Sequence, residues 1–571
     1  MDLIKSRAQL LGTTGTAQHG SPDHSSGHSP LVNPPLRQLP PLRLLQRLPR
    51  PRATEILVVP VGGLGRIGMN WTLYGHDGSW ILVDAGIAFP DSDDAGVDVL
   101  IPDPETLRRV VGRIDALVVT HAHEDHIGAI RHVFPREITC PIWATPFAAA
   151  AISRRLEEAG TLDEADIRHF PVGGALRIGP FAIRSIRLTH SVPEAVALAI
   201  ATPAGTVLHT GDFKLDPEPL IGLPTDLDAI RAVGDAGLLA LVCDSTNAER
   251  DLPVTSEAQV RDSFRTLFAS RPGIVVVCCF GTNVVRAASA CDAAAWSGRQ
   301  VALTGRSLRS HTETAERLGI LEPLDMLAEP SHLRGLDRRE MALVCTGTQG
   351  EENAALARLA RGKDWRLPEL GLGDTVIMSA SVIPGNEAAV ERVLEPLRAR
   401  GVEILTQSSV ADGLLVHVSG HAGRAELATM HRHARPRFVI PVHGTEAHLR
   451  AHAALALDCG AEAAQVAADG AVMAVSASGI KLVGRVAIPV IGISRDDGIL
   501  PRRVIAIPAK PPVAHVAARA AAADRRVDHL PRQAGPHRAK PAISPPAARS
   551  RRARGGGRLA QAGATLAAQE A

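Results

Sequence analysis

The chain has 571 residues, of which 45% are hydrophobic, 3% aromatic and 21% charged, and its formal net charge is +2. This length predicts about two to four domains. No apolar run reaches about eighteen residues, which excludes an ordinary transmembrane helix, so we expect no association with membranes. Charge is unevenly distributed: residues 1 to 54 carry +5 and residues 502 to 571 carry +11, which leaves −14 for residues 55 to 501.

The first 54 residues are rich in Pro, Leu and Arg and show no sustained hydrophobic period. We expect residues 1 to 54 to be a disordered extension or the product of a mis-assigned start. They lack the continuous apolar stretch of a secretory signal peptide. From residue 55 to residue 254, short β-type runs alternate with amphipathic stretches such as PFAAAAISRRLEEAG, which predicts strands covered by helices.

Residues 118 to 130 read VVTHAHEDHIGAI and follow an apolar run. His121, His123 and Asp125 alternate, so in an extended segment they would project to one side, and His126 follows at once. A lone histidine is usually an ordinary surface or core residue. Imidazole and carboxylate groups at this density, however, favour zinc or a related metal ion.

Three further ligand-type side chains follow predicted strands downstream. His190 comes after FAIRSIRL, Asp212 after GTVLHT, and His443 after RFVIPV. Each stands where a β-type run gives way to turn residues. Taken singly, each has an ordinary structural explanation, but together they predict that the ligands converge at one site.

From residue 255 to residue 414 the pattern becomes regular. Helix-like SEAQVRDSFRTLFAS and TNVVRAASACDAAAWSG alternate with strand-like GIVVVCCF, QVALTG, MALVCTG, TVIMSAS and VEILTQ. Strands interleaved with helices predict a parallel α/β sheet. Residues 491 to 571, in contrast, are rich in Ala, Pro and Arg, and we expect a disordered tail, either native or frameshifted, because few large apolar residues are available for a core.

The chain resembles the metallo-β-lactamase superfamily and, more closely, the ribonuclease J family of its β-CASP RNA-processing branch. The resemblance extends from about residue 58 to about residue 484. The strings that carry it are GGLGRIGMN, VDAGIAFP, GVDVLIPD, THAHEDHIGA, THSVPE, HTGDFK, CDSTNA, GRS, CTGTQGE, SASVIPGNE, LVHVSGHAG and PVHG. General hydrolases of the superfamily share the first histidine cluster but lack the last four strings.

The resemblance implies an α/β fold in which residues 55 to 254 and 415 to 490 form an αββα sandwich. Residues 255 to 414 would form an inserted β-CASP domain, and the tail would replace the family's C-terminal domain. The implied active site lies in the cleft between the two domains.

Two zinc ions are implied, with Mn²⁺ or Mg²⁺ as alternatives. One ion would be bound by His121, His123, His190 and Asp212, and the other by Asp125, His126, Asp212 and His443. Asp212 would bridge them, since a carboxylate has two oxygens. Two close ions acidify a shared water, and the resulting hydroxide would attack a phosphodiester in line.

The resemblance also implies catalytic and substrate-binding residues. His421 would be the general acid, with a phosphate-positioning residue as the alternative. Asp244 would orient a ligating imidazole or the water, with an Asx turn as the alternative. The segment His417, Val418, Ser419, Gly420 and His421 would contact RNA, and a 5′-monophosphate pocket would include Ser379, Ser381 and Asn386.

The chain departs from the family pattern at two positions. Arg66 stands where the family's GEIG string has glutamate, and Thr445 stands where HGE is common. Neither departure removes a metal ligand. Gly96 and Asp98 resemble part of a structural calcium site, for which Asp496 is the candidate third ligand.

We therefore expect a zinc-dependent ribonuclease that degrades 5′-monophosphorylated RNA in the 5′ to 3′ direction, with endonuclease action as a second activity, in mRNA decay and rRNA maturation. Two alternatives are a small-molecule metallo-hydrolase of the same fold and a weakly active RNA-binding subunit of a degradation complex. Because the central region is acidic, local arginines such as Arg286 and Arg306, or the tail, would attract RNA.

The expected partners are RNA, further copies of the chain in a dimer or tetramer, and an RNA degradation complex. The seven cysteines form no C-x-x-C pair and no disulfide framework. This pattern favours the reducing environment of the cytoplasm.

Overall fold

The computed structural model describes residues 42–90, 97–362, 366–383 and 385–494, together with the backbone of three strands at residues 37–38, 503–507 and 515–518. The expected disorder of the first 36 residues and of residues 519–571 falls outside this range. Among the described residues, no helix combines the length and the apolar character needed to cross a bilayer.

The strands are given in chain order: β1 (Arg37–Gln38), β2 (Leu44–Leu45), β3 (Ile56–Gly62), β4 (Trp71–His76), β5 (Ser79–Val83), β6 (Val99–Pro102), β7 (Ala116–Val118), β8 (Ile142–Ala144), β9 (Ile167–His169), β10 (Ala175–Ile178), β11 (Phe181–Arg187), β12 (Val196–Thr202), β13 (Gly205–His209), β14 (Leu238–Asp244), β15 (Val275–Cys278), β16 (Gln300–Thr304), β17 (Met341–Cys345), β18 (Thr375–Met378), β19 (Glu403–Leu405), β20 (Phe438–Val442), β21 (Ala463–Val466), β22 (Ala471–Ser476), β23 (Gly479–Val486), β24 (Val490–Ser494), β25 (Arg503–Ile507) and β26 (His515–Ala518).

The α-helices are α1 (Pro104–Val111), α2 (Glu124–Ile127), α3 (Ile130–Val133), α4 (Pro146–Glu158), α5 (Leu227–Asp235), α6 (Glu257–Ser270), α7 (Val284–Trp296), α8 (Arg306–Arg317), α9 (Ala355–Arg361), α10 (Glu387–Ala399), α11 (Arg424–Ala434) and α12 (Glu446–Asp458). Short 3-10 helices span Leu162–Glu164, Pro330–Gly335 and Arg338–Glu340.

Two large sheets form a sandwich. Their strand orders are β1-β26-β21-β20-β14-β13-β12-β11-β10 and β2-β23-β22-β3-β4-β5-β7-β8-β9. Apolar side chains of both sheets, among them Val58, Ile81, Ile200 and Leu241, meet in one buried core. Helices α5, α11 and α12 cover the outer face of the first sheet, and α1 and α4 that of the second. The structure therefore has the αββα architecture that the sequence predicts.

A second sheet system, which we call the inserted sheet, has the order β16-β17-β15-β18-β19. All its neighbouring strands are parallel, as predicted from the alternation of strands and helices. Helix α6, which precedes the first strand of this sheet, begins where the sequence predicts. The Ser256 hydroxyl caps it by accepting a hydrogen bond from the amide of Ala258 at 3.1 Å. Buried apolar clusters lie on both faces of this sheet.

Parallel strands bring the candidate ligands to one edge of the sandwich. Strands β13, β14 and β20 are adjacent and parallel, and Asp212, Asp244 and His443 stand at or just beyond their carboxyl ends. In the facing sheet β5 and β7 are also parallel neighbours, and Asp84 and His121 follow them. Carboxyl ends of parallel strands lie at the same edge, which is the usual place for a site in α/β folds.

Backbone pairing extends into the regions for which the sequence predicts no packed structure. Strand β24 pairs with β6 and β25, strand β26 pairs with β21, and β2 pairs with β23. These pairings use main-chain hydrogen bonds, which every residue except proline can form in full. Amino-acid composition therefore does not reveal them. The predicted domain limits at residues 54 and 490 stay predictions.

Arg299 is expected to stabilise the inserted sheet. Its buried guanidinium donates to the carbonyl oxygens of Gly273, Arg271, Phe268 and Met341 at 2.7, 2.6, 3.1 and 3.2 Å. Arg299→Met would leave these buried acceptors without a donor, so we expect a loss of roughly 3 kcal/mol in the free energy of unfolding. Urea unfolding followed by tryptophan fluorescence measures it. The same change at the exposed Arg309 should have almost no effect, and equal midpoints for the two variants would contradict the prediction.

Candidate metal centre

Among the described residues, three overlapping sets of side chains could each hold a metal ion, and two of them contain the seven predicted ligands. The first comprises His121, His123, His190 and Asp212, and the second comprises Asp125, His126, Asp212 and His443. Within each set the potential ligand atoms lie within 4.8 Å of one another. The structure therefore brings together all seven predicted ligands and places Asp212 in both sets.

The secondary structure that carries Asp125 and His126 differs from the prediction. Strand β7 ends at Val118, and helix α2 begins at Glu124, so Asp125 and His126 project from a helix and not from an extended segment. The alternation of the string therefore does not explain their direction. Because the chain turns into a helix after His123, the side chains of Asp125 and His126 point towards the second set, whereas His121 and His123 belong to the first.

In the first set, hydrogen bonds fix which ring nitrogen of His190 and His121 is available. Nδ1 of His190 donates to the carbonyl oxygen of Gly420 at 2.6 Å, which leaves Nε2 as the potential ligand. Nδ1 of His121 lies 3.0 Å from the Thr120 hydroxyl, which itself lies 2.8 Å from Oδ2 of Asp84. Such outer partners orient ligating imidazoles in metal sites.

In the second set, Asp84 orients His126. Nδ1 of His126 donates to Oδ2 of Asp84 at 2.7 Å, because a carboxylate oxygen can only accept. Nε2 of His126 then faces Oδ2 of Asp212 at 3.1 Å. His443 lies between two carboxylates, with Nδ1 2.8 Å from Oδ1 of Asp212 and Nε2 3.2 Å from Oδ2 of Asp125.

The electrostatics of the centre favour a cation. Burial alone would lower the pKa of His443, but Asp212 and Asp125 outweigh it and raise that pKa to about 10. Burial likewise opposes a charge on Asp212, yet His126 and His443 hold the pKa of its carboxyl well below the ordinary value. The centre thus combines ionised carboxylates with a strong preference for positive charge.

The imidazoles of the first set are suited to metal binding because they are neutral. Burial lowers the pKa of His121 and of His190 well below the ordinary value, and burial lowers that of His123 to about 4. Among the described side chains, Nε2 of His121 is a buried atom without a hydrogen-bond partner. A buried imidazole nitrogen aimed at a carboxylate-rich pocket fits a divalent metal ion.

His421 and Asp244 form a pair at the edge of the centre. Nδ1 of His421 lies 2.9 Å from Oδ2 of Asp244 and 3.8 Å from Oδ2 of Asp212. Burial opposes protonation of His421, but Asp244 and Asp212 raise its pKa above the ordinary value. Asp244 also accepts from the amide and hydroxyl of Thr246 at 2.9 and 2.7 Å, so Asx-turn geometry and contact with His421 coexist.

The segment 417–421 lines a cleft of about 1390 Å³ beside the metal centre, and the inserted sheet contributes to the same cleft. Ser419, Gly420 and His417 face the cleft, whereas Val418 is buried in the core of the inserted sheet. The amide of Asn247 holds this segment by donating to the Ser419 hydroxyl at 2.9 Å and to the carbonyl of His421 at 3.0 Å.

The predicted phosphate-pocket residues lie near this segment but play different structural roles. Ser381 is exposed, and its hydroxyl lies 3.0 Å from Nε2 of His417. Ser379 is buried, and its hydroxyl donates to the carbonyl of Val416 at 2.5 Å. Asn386 lines the cleft and donates to Oε1 of Gln349 at 3.1 Å.

Sequence reasoning missed Gln349 as an organiser of the 379–386 loop. Its side chain accepts from the amide of Ile383 at 2.8 Å and donates to the carbonyl of Ser381 at 3.0 Å. The string CTGTQGE, which contains Gln349, was among those that carry the resemblance. The residue itself showed no chemical signal, because one glutamine after a strand end is common.

The expectation that Arg286 attracts RNA is wrong. Its side chain is fully buried and forms an ion pair with Glu257 at 2.9 Å, so it cannot reach a ligand in the cleft. The sequence could not show this because Glu257 lies 29 positions away, at the start of another helix. Arg306, at the start of α8, is exposed as expected for a residue that meets solvent or RNA.

The two departures from the family pattern are neighbours of His443. Arg66 forms a β-bridge with Gly444, and both Arg66 and Thr445 line the cleft. Of the predicted calcium ligands, Gly96 lies outside the described residues, as does Asp496. Asp98 is exposed, and its amide donates to the carbonyl of Ile493 at 2.9 Å. The calcium site stays a prediction.

Three family models match consecutive parts of the chain. The model of the metallo-beta-lactamase superfamily matches residues 64–278, and that of the ribonuclease J beta-CASP domain matches residues 272–397. A model described as a Zn-dependent metallo-hydrolase RNA specificity domain matches residues 415–464.

Relatives named ribonuclease J align with most of the chain. The protein of Sinorhizobium meliloti is 39% identical over 410 residues, which are 71% of this chain and 72% of that protein. Ribonuclease J of Mycolicibacterium smegmatis is 40% identical over 407 residues, 71% of each chain. Ribonuclease J 1 of Streptococcus pyogenes is 37% identical over 436 residues, 76% of this chain and 77% of its own.

A solved structure of a protein of unknown function from Enterococcus faecalis has a similar fold. It is 17% identical, with a TM-score of 0.51, and the match covers 69% of this chain and 95% of that one. At this identity the similarity shows the fold alone.

Gly86 is expected to be essential for the second ligand set. A Cβ atom at this position would lie 1.6 Å from the carbonyl oxygen of Asp125 and 2.6 Å from the amide of His126. Gly86→Ala should therefore displace both ligands and weaken metal binding by about 10- to 100-fold. Gly335→Ala is the control, since a Cβ there meets nothing within 4 Å. Metal titration of both folded variants tests this, and unchanged affinity in Gly86→Ala would refute it.

Proposed function

The chain belongs to the ribonuclease J family and is a metal-dependent ribonuclease, and from that premise we propose that it holds two zinc ions and degrades RNA from a 5′-monophosphorylated end. One observation carries the proposal: two four-ligand sets share Asp212, and their members His123 and Asp125 line the same cleft as the segment 417–421. Endonuclease cleavage is the second activity that we propose. Mn²⁺ and Mg²⁺ are the alternative ions.

The ligands of the two sets have different chemistry. Three neutral imidazoles and one carboxylate suit zinc in the first set, and two carboxylates with two histidines suit it in the second. Divalent ions bound there would acidify a water molecule and neutralise charge on the phosphodiester. Asp212 supports the assignment of two ions because its carboxylate faces members of both sets: Oδ1 lies 2.8 Å from Nδ1 of His443 in the second set, and Oδ2 lies 3.7 Å from Nε2 of His121 in the first.

We assign proton donation to His421. Its Nδ1 is held by Asp244 at 2.9 Å, which leaves Nε2 available for a leaving oxygen. The two carboxylates that raise the pKa of His421 favour the protonated form, which is the form that a general acid needs. Asp244 acts as the positioning partner of His421.

We assign recognition of the 5′ phosphate to the cleft wall formed by the segment 417–421 and the 379–386 loop. The Ser381 hydroxyl and the Asn386 amide lie on this wall, and imidazole, hydroxyl and amide groups are the usual donors to phosphate. Ser379 supports the wall from behind because its hydroxyl is bonded inside the protein.

A small-molecule hydrolase of the same fold is a weaker alternative, since residues of the inserted sheet's loops enlarge the cleft and residues 415–464 match the model of an RNA specificity domain. A weakly active RNA-binding subunit is a weaker alternative still, because the ligand sets are complete.

We further propose action in mRNA decay and rRNA maturation, assembly into dimers or tetramers, membership of a degradation complex, and a cytoplasmic location. All seven cysteines are free, which agrees with a reducing compartment.

Asp212→Ala and His421→Ala should have different effects. Asp212→Ala removes a ligand from both sets, so metal content and cleavage should both be lost. His421→Ala should retain two ions per chain and lower kcat by about 10²- to 10⁴-fold, as expected for a lost general acid.

Elemental analysis and single-turnover cleavage of the two purified variants test this prediction. His169→Ala, which removes an exposed histidine at the end of β9, is the control and should match the wild type. Loss of an ion from His421→Ala would make His421 a ligand of the third possible grouping, which comprises Asp212, Asp244, His421 and His443, and would overturn the acid assignment.

The state of the RNA 5′ end should control the rate. We expect kcat/KM to be about tenfold higher for 5′-monophosphorylated RNA than for the 5′-hydroxyl form of the same sequence, which is the value of about one hydrogen bond to a charged group. Ser381→Ala should reduce this ratio, whereas Ser408→Ala, at an exposed serine of the neighbouring loop, should not. A wild-type ratio of one would refute the 5′-end preference.

A further inference from the structure

Four buried charged residues, which we call the bridge cluster, join the sandwich to the inserted sheet. They are Lys214 and Asp216 after strand β13, Glu257 at the start of α6, and Arg286 in α7. The Lys214 ammonium lies 3.2 Å from Oδ2 of Asp216 and 3.2 Å from Oε1 of Glu257. Two cations and two anions balance, as a buried cluster requires.

The guanidinium of Arg286 contacts Glu257 on one side and Ser379 on the other. Nε and Nη2 donate to the two carboxylate oxygens of Glu257 at 3.0 and 2.9 Å, a bidentate pair. Nη1 donates to the carbonyl oxygen and the hydroxyl of Ser379 at 3.0 and 2.5 Å. The carboxylate therefore fixes the plane of the guanidinium, and the guanidinium fixes Ser379.

The same Nη1 lies 3.4 Å from Nδ1 of His417. A guanidinium can only donate, so Nδ1 of His417 must be the acceptor and the imidazole proton must be on Nε2. Nε2 in turn lies 3.0 Å from the hydroxyl of Ser381, on the cleft wall. The half-buried position of His417 and the charge of Arg286 lower its pKa to about 3, which agrees with a neutral ring.

We propose that Arg286 is a positioning residue for the 5′-phosphate pocket, which it serves without touching the ligand. Held by Glu257, it locks His417 in the Nε2-protonated tautomer, so that Nε2 of His417 donates to the Ser381 hydroxyl and the Ser381 O–H is left as a fixed neutral donor to phosphate. This inference rests on the proposed function, because it assumes that the 379–386 loop and His417 form the pocket.

The bridge cluster also explains why this position needs arginine. Only a planar guanidinium can bind a carboxylate through two nitrogens while its third nitrogen faces Ser379 and His417. An ammonium could pair with Glu257 but could not make the remaining bonds at the same time. Replacement of Arg286 by Lys therefore keeps the buried charge balanced and removes only the positioning.

The test compares Arg286→Lys, His417→Gln and the double variant, with Arg309→Lys on the exposed side of α8 as the control. For 5′-monophosphorylated RNA, Arg286→Lys should raise KM about tenfold and leave kcat within about twofold, the effect of one charge-assisted hydrogen bond. For 5′-hydroxyl RNA it should change neither constant. In the His417→Gln background, Arg286→Lys should have no further effect on KM, since both act through one ring.

Nitrogen-15 spectra of histidine-labelled protein provide a readout that does not depend on cleavage. The His417 signal, assigned by its loss in His417→Gln, should show the neutral Nε2-protonated form in the wild type and a mixture of tautomers in Arg286→Lys. Equal KM effects on both RNAs, or additive effects in the double variant, would reduce Arg286 to a structural residue and overturn the proposal. If the wild type ignored the 5′ end while the tautomer still depended on Arg286, only the pocket assignment would fail.

Discussion

Negative charge concentrated at one buried edge of the sandwich is the constraint on which the rest of the site depends. Asp84 and Asp212 are almost completely buried and lie within hydrogen-bond distance of the same imidazole, that of His126. Carboxylates so placed would repel one another and destabilise the fold unless positive charge stood between them. The histidines supply part of that charge. A divalent metal ion held by the ligand sets would supply the rest, so metal binding and the stability of this edge are expected to be linked.

The candidate metal centre and the cleft wall formed by the segment 417–421 and the 379–386 loop are connected by hydrogen bonds. The carbonyl of Gly420, in the segment 417–421, accepts the hydrogen bond that orients the ligand His190. Thr189, the residue before His190, bonds through its hydroxyl to the carbonyl of Lys214 at 2.7 Å, and Lys214 belongs to the bridge cluster. A shift of the inserted sheet would therefore displace both the candidate ligand His190 and the cleft wall. Such a continuous hydrogen-bond network holds the candidate metal centre and the cleft wall at a fixed distance from each other.

The candidate ligands His190, Asp212 and His443 could be predicted from the sequence because each follows a strand whose apolar residues are evident. Strands β11, β13 and β20 run in the same direction, which brings their carboxyl ends to one edge of the sheet. What could not be predicted depends on contacts between distant positions. Asp125 and His126 were assigned to an extended segment because no local signal marks the helix that begins at Glu124. Arg286 was assigned to the surface because its partner, Glu257, is identified only by three-dimensional packing.

The acidic composition of the central region is then less of an obstacle to RNA binding than its charge of −14 indicates. Part of the negative charge is buried in the ligand sets and in the bridge cluster, where cations or ion pairs neutralise it. Long-range attraction depends on the charge that faces the ligand. Arg66, Arg250 and Arg485 line the cleft, but so do five acidic residues, Glu124, Asp125, Glu351, Glu446 and Asp469, so cations held by the ligand sets would add to the attraction of RNA. Because Arg66 stands beside the loop of His443, the substitution of arginine for the family's glutamate adds positive charge where the RNA backbone must approach the metal centre.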